Sequence, residues 1–568
     1  MPQRRWMVGL SSLVAAACSS SPVTQPPLAP CTATSGGQVS LGIGAYTAVD
    51  PTQTAGCAVF PANFVGGPTI EYLVVPQSAS SIPDDSQAFK LGGNPLAAPP
   101  APAPGAPLAA LAGPSVGQQF DLRLRLAERE FAAQVPRPLR APPRAPALVT
   151  PVDSGDVRTF KVCNVLTCDP RKPSTLTSVG ARALKVGQHI AIFVDTLAPP
   201  PGLAQSDLDN LRAVFDTRLY ETDTLAFGGE SDIDNNGMVI VLMTNLVNKL
   251  VTSSQCATTG FVAGYFFGAD LITTPPFATG NNGEIFYSIV PDPSGTLSCV
   301  HSVTGVTQLV PVTFVHEFQH MISFNQHFLV RGDSPEDLWL NEGLSHYAEE
   351  NGGRTFLASP PDTATFCRYA FGDLYNSAQY FTAPQNYFLV DTAGIGGLAN
   401  RGAYWLFVRY LVDQVSATLG SADSVTRRLD KTALTGAANV SNATGGTAFP
   451  TVLARWALAN YVSDLPGFTA PPELRYVTWK FRTDYQTMKT TCGTFFNTSS
   501  LPSQLPLAPP LLDAPSAQVA GMLHAGSGSY YRLQQAAGGS RFTLLFSNSA
   551  GGALRTSLAP VLNVIRIQ

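Results

Sequence analysis

One stretch, residues 311 to 350, PVTFVHEFQHMISFNQHFLVRGDSPEDLWLNEGLSHYAEE, constrains this chain more than any other. It contains H-E-x-x-H as His316, Glu317 and His320. On a helix, residues four apart lie one above the other, so the two imidazoles project from one face. Imidazoles so placed can hold one zinc ion, and Glu317 beside them can take a proton from a water that the metal activates. A catalytic zinc site takes three protein ligands and keeps a fourth position open. The run W-L-N-E-G-L-S-H-Y-A-E-E offers the third ligand at Glu342. Ser334 and Pro335 read as the N-cap and first residue of a second helix. Leu338, Trp339, Leu340, Leu344 and Tyr347 give that helix apolar surface to pack on the first.

With both motifs on the page, H-E-F-Q-H-M-I-S-F followed by W-L-N-E-G-L-S resembles the gluzincin zinc peptidases, and more closely their hyicolysin-type branch. The resemblance covers residues 157 to 465, with SDIDNNGMVIVLMTN, AGYFFGADL and NNGEIFYSIVPDP as further similar stretches. It implies zinc ligands His316, His320 and Glu342, with Glu317 as base and then acid. It also implies an α+β catalytic domain of the thermolysin-like kind: a sheet-bearing upper lobe, the zinc helix and a mainly helical lower lobe. Some gluzincins carry an Asp one turn after the Glu ligand, orienting a zinc-bound His. Here that position is His346, which departs from the pattern.

The rival metzincin pattern is H-E-x-x-H-x-x-G-x-x-H. Ser323 stands at its Gly and Gln326 at its last His. His327 comes one residue late, roughly 10 Å along the axis from His320 on a continuing helix. Zinc–nitrogen bonds of about 2 Å exclude it from the same ion, so His327 reads as a packing or surface residue.

The 568 residues suggest two to four domains. Hydrophobic residues make up 45% and charged ones 13%, enough for a sizeable core; the net charge of −4 gives no case for nucleic acid. Residues 1 to 18 read as an export signal: Arg4 and Arg5, an apolar run from Met7 to Ala17 too short to span a bilayer, then V-A-A-A-C. That ending resembles a lipobox, which implies cleavage before Cys18, a lipid on it and anchorage to an outer membrane or cell surface; ordinary cleavage and secretion is the alternative. Eight further cysteines in an exported chain suggest disulfides. Neighbour pairing, one of many connectivities, would join Cys31–Cys57, Cys163–Cys168, Cys256–Cys299 and Cys367–Cys492. No C-x-x-C pair suggests cysteine-bound zinc.

Short β-prone runs between Gly, Pro and Ser make residues 19 to 93 a small β module, and the Pro/Ala-rich residues 94 to 150 a linker. Within the linker, FDLRLRLAEREFAAQV reads as a short helix or strand. A pro-segment giving latency, or a mere spacer, fits residues 19 to 150. The Gly113–Gly117 match to G-x-S-x-G lies in that linker and not on a strand–turn–helix elbow, so a serine hydrolase is not favoured.

The catalytic domain spans residues 151 to 465. It opens with strands VRTFKVC, STLTSVGARALKV and QHIAIFVD, then a helix capped by Ser206, then GMVIVLMTN, GFVAGYFFGADL and GEIFYSIV. Asp232, Asp234 and Asn236 before Gly237 resemble the start of a calcium loop, although Met243 stands where an EF-hand has Glu; an Asp/Asn/Gly turn leading into a strand is the favoured reading. Residues 354 to 465 read as helical, with Tyr404, Phe407, Val408, Leu411 and Val412 at helical spacing. Tyr404, then His346, are the candidates to hold an oxyanion. Residues 466 to 568, including LRYVTWKFRTDYQT, read as a C-terminal β module.

The sequence therefore points to an exported, lipid-anchored zinc endopeptidase acting on proteins or peptides. The alternative is a non-catalytic surface-binding lipoprotein on a peptidase fold, which has no need of Glu317. An aminopeptidase would need a grip on the free amine, such as G-x-M-x-N, and none is found.

Overall fold

The computed structural model describes residues 26–93, 114–136, 151–392 and 397–568. The export signal and Cys18 lie outside the described residues. The chain is a mixed α+β protein with three sheets.

Four N-terminal strands, β1 (Tyr46–Val49), β2 (Cys57–Phe60), β3 (Ile70–Ser78) and β4 (Ser86–Gly92), precede the middle of the chain. Six more follow: β5 (Val157–Cys163), β6 (Leu176–Val186), β7 (Ile190–Asp195), β8 (Val239–Met243), β9 (Gly264–Phe266) and β10 (Ile285–Ser288). The last five are β11 (Leu511–Asp513), β12 (Gln518–His524), β13 (Tyr531–Gln535), β14 (Phe542–Asn548) and β15 (Pro560–Arg566).

The N- and C-terminal stretches, expected as two modules, share two sheets, β1-β15-β3-β13-β11 and β12-β4-β14-β2. All nine residues of β3 are buried, and it pairs antiparallel with β15 on one side and β13 on the other. Four short strands cannot cover such a strand alone; the chain's end supplies its neighbours. Phe60, Tyr72, Phe89, Leu544, Phe546 and Val564 fill the space between the sheets.

The middle sheet has the order β5-β6-β7-β8-β10-β9. β7, β8 and β10 are parallel at its centre, and the run VIVLM of β8 is buried throughout, as strands covered on both faces require. β9 pairs antiparallel with β10 and forms the sheet's edge. The helix bearing His316 and His320, Val303–Phe324, packs beneath, with Phe314 edge-on to Phe286 of β10 at 5.3 Å and to Phe215 at 3.9 Å. The helices beyond it, Leu338–Arg354, Thr363–Thr382 and Leu398–Leu419 among them, share one core with the sheet.

Three local expectations shift. The second motif helix is Leu338–Arg354 with Asp337 at its cap, not a helix from Pro335. Arg129 draws Pro335 and Glu336 out by donating to both their carbonyls, and buried Glu336 accepts from Gly436 and Asn439. Ser206 lies inside its helix, which starts at Gln205 because Asp207 accepts from the Ala204 N–H. FRTDYQT belongs to a helix, Phe481–Cys492, not a strand. Phe481, Tyr485, Met488 and Cys492 recur at helical spacing on its buried face, and Cys492 is tied to Cys367. All four neighbouring cysteine pairs are joined. No helix among the described residues is long and apolar enough to cross a membrane.

Candidate metal centre

The helix Val303–Phe324 starts at Ser302, whose hydroxyl accepts from the Gly305 N–H, and carries His316, Glu317 and His320 on its buried face. The helix Leu338–Arg354 crosses it and delivers Glu342. Gly343 permits a third helix, Leu398–Leu419, to approach: a Cβ there would lie 2.8 Å from the Tyr404 carbonyl oxygen.

Donor atoms of His316, His320 and Glu342 lie within 4.8 Å of one another. The Nε2 atoms of both imidazoles face the Glu342 carboxylate, at 3.7 Å from His316 and 3.2 Å from His320. His316 is held from behind, its Nδ1 2.8 Å from Glu349 Oε1, which turns its Nε2 inward. The Ser345 hydroxyl lies at the edge of the His320 ring, 3.1 Å from Nδ1 and 3.3 Å from Nε2. Neither oxygen of buried Glu342 takes a hydrogen bond from the described residues; its nearest cation is Arg401 at 2.9 Å. Two imidazoles and a buried carboxylate facing them are the donor set of a catalytic zinc, so these residues fit that ion.

Burial would raise the Glu342 carboxyl, but Arg401 and then His320 hold it well below the usual range. Burial, then the Arg125 cation, pushes His320 down to about 4, leaving its imidazole neutral as a metal ligand must be. Glu317 Oε2 accepts from the Phe266 N–H of β9 at 2.9 Å. Burial, followed by the nearby Asp121 charge, raises Glu317 well above an ordinary carboxyl.

His346 is beside the cluster, its ring 4.9 Å from that of His316. Its Nδ1 lies 3.0 Å from both Glu349 and Asp373. Burial opposes its charge, but these two carboxylates carry it up to about 10. Tyr404 is buried and its hydroxyl donates to Asp391 at 2.7 Å. His327 is fully buried, 3.9 Å from Glu336 and 3.8 Å from Asp430, and takes no place in the cluster. Asn236 donates to Asp234 and accepts from the Met238 N–H, and Asp232 accepts from Gly237. This closes a hydrogen-bonded turn, and calcium there gains no support.

Sequence reasoning missed Glu349, Arg401 and Asp121. Glu349 sits seven residues after Glu342, two helical turns on, so that spacing was available as a signal. Arg401 precedes Tyr404 on the same helix, but nothing in its sequence points at the site. Asp121 lies in FDLRLRLAEREFAAQV, expected as a short helix or strand within the linker; it belongs to the helix Val116–Gln134, with Ser115 as its cap.

No family model matches the chain. Over 208 residues it is 24% identical to the neutral metalloprotease ShpI of Staphylococcus hyicus, covering 36% of this chain and 42% of that protein's length. The chain is therefore a distant relative of a metalloprotease, and a zinc ion is the metal its cluster suits.

Proposed function

We propose that the protein is an exported zinc endopeptidase of the gluzincin type, similar to hyicolysin, with the thermolysin-like lobe arrangement. The observation that carries this is the convergence of His316, His320 and Glu342, backed by Glu349 and Ser345, with Glu317 alongside. The similarity to a neutral metalloprotease supports it. Four disulfides accord with export, and the lipid on Cys18 is a further part of the proposal.

Zinc bound by these residues would supply Lewis-acid chemistry, polarising a scissile carbonyl and making water a better nucleophile. Glu317, held by the Phe266 N–H, takes the proton from the attacking water and returns it to the leaving amine. The edge strand β9 offers its outer backbone groups to an extended peptide, which orients the bond to be cut. Arg401, adjoining Glu342, supplies positive charge for the oxyanion. Tyr404 would serve there only by exchanging its bond to Asp391, and His346 acts from behind His316, holding Glu349 ionised.

The test is casein hydrolysis by the chain lacking residues 1 to 18, beside Glu317→Gln. Each is assayed before and after mild trypsin treatment quenched with a serine-protease inhibitor, with zinc quantified. The expected result is one zinc in each protein and a rate lower by about 10²–10⁴-fold in the variant. Zinc in both with no hydrolysis by either would transfer the reading to a non-catalytic binding protein.

A further inference from the structure

A peptidase must admit a protein chain, yet His316, Glu317, His320 and Glu342 are at most 6% exposed. What covers them includes the helix Val116–Gln134, which is flanked on both sides by Pro/Ala-rich sequence. Its Asp121 carboxylate has an oxygen within 4.8 Å of donor atoms of both Glu317 and His320. Asp121 Oδ2 binds Arg401 at 2.8 Å, and Arg401 in turn binds Glu342. One turn on, Arg125 pairs with Asp121 and Glu128 and donates to the Phe266 carbonyl. Glu128 accepts from the Gly268 N–H at 2.6 Å.

These contacts repeat what a substrate would do. A carbonyl and an N–H beside the free edge of β9 are both taken, by an arginine and a glutamate of one helix. A carboxylate from the same helix stands beside Glu317 and His320. Arg401, the cation proposed for the oxyanion, is spent on that carboxylate. Phe120 against Tyr265 at 5.1 Å and Phe131 against Phe277 at 5.1 Å seat the helix on the sheet side. Arg129 ties it to Asp337, at the start of the helix that carries Glu342.

We propose that this helix is a plug that keeps the peptidase latent, with Asp121 filling the space beside Glu317 and His320 and Arg125 and Glu128 occupying the substrate edge. The inference rests on the zinc-peptidase reading above. In the closed state Asp121 excludes both water and substrate carbonyl from the metal. Departure of the helix frees β9 and Arg401 together and opens the space beside Glu317 and His320. Activation is then displacement of one element, with no rearrangement of the ligands.

The experiment uses the chain without residues 1 to 18, loaded with cobalt(II) in place of zinc, and acetohydroxamate as a small chelating probe of the open position. Binding is read from the visible absorption of the cobalt, independently of any hydrolysis. Asp121→Asn should bind the probe at least ten-fold more tightly than the unaltered chain and cut casein faster without trypsin. Phe131→Ala, which loosens the seat far from the metal, should move both readouts the same way and serves where the first variant fails to fold. Equal probe affinity in the unaltered chain and the variants, or a loss of casein hydrolysis in Asp121→Asn, would overturn the plug and make the helix a fixed wall of the cleft. Failure of the unaltered chain to take up cobalt or zinc, seen before the probe is added, would defeat the peptidase reading itself and this inference with it.

Discussion

Replacing Glu349 by Gln should weaken metal binding while leaving all three proposed ligands in place. Glu349 Oε1 lies 2.8 Å from His316 Nδ1 and 3.0 Å from His346 Nδ1, inside a buried cluster that also holds Asp373. The carboxylate fixes which ring nitrogen of His316 carries the proton and raises the basicity of the other. Gln keeps the shape and one acceptor oxygen but loses the charge, and His346 keeps only Asp373 as its counter-ion. Loss of such a partner costs about ten- to hundred-fold in metal affinity, or about 1.4–2.8 kcal/mol. The assay is zinc competition against a chromogenic chelator at pH 7, with circular dichroism confirming the fold. His320→Ala, which removes a ligand, sets the scale for full loss. A zinc affinity within about three-fold of the unaltered chain, alongside full loss in His320→Ala, would refute the role given to Glu349.

Two further outcomes concern stability. Glu350 is wholly buried and accepts from Trp405 Nε1 at 3.1 Å, Trp479 Nε1 at 2.9 Å and Arg354 Nε at 2.7 Å, with Arg409 at 3.6 Å. Glu350→Ala strands those donors and should cost about 3–5 kcal/mol in denaturant unfolding; a loss under about 1 kcal/mol would contradict the network's importance. Burial, only partly offset by the Gly436 N–H and Asn439, lifts Glu336 from 4.5 to about 8. The unfolded chain releases this proton first, so Glu336 costs stability progressively as pH rises from about 4.5 to about 8, and the cost levels off above that. Melting temperatures of Glu336→Gln and the unaltered chain should therefore shift in the variant's favour between pH 5 and pH 8, whatever their offset at pH 5. An unchanged offset would show that Glu336 is ionised in the fold.

The candidate site was readable where chemistry dictates spacing. His316 and His320 had to share a helix face, and a carboxylate on a following helix was needed to complete a zinc set. The alternation and apolar runs of β7, β8 and β10 were equally readable, because a buried central strand admits little else. What escaped depends on distant partners. β3 finds its neighbours in the last strands of the chain, and no local pattern announces a pairing across that separation. FRTDYQT has β-prone residues but folds as a helix because its period-four apolar face has a core to meet. Ser334 and Pro335 carry cap signals that Arg129 overrides from a helix over two hundred residues earlier. Asp121 was hidden by its setting: the flanking Pro/Ala-rich sequence suggests a spacer, and only the fold brings its carboxylate to Glu317 and His320.

The most direct measurement is a crystal structure of the zinc-loaded chain with anomalous data collected at the zinc edge. The account predicts one strong peak bonded to Nε2 of His316, Nε2 of His320 and the Glu342 carboxylate at about 2.0–2.2 Å. A peak among His316, His346 and Glu349, the rival cluster that shares one imidazole, would contradict the ligand assignment. So would a zinc-soaked crystal with no peak at either place.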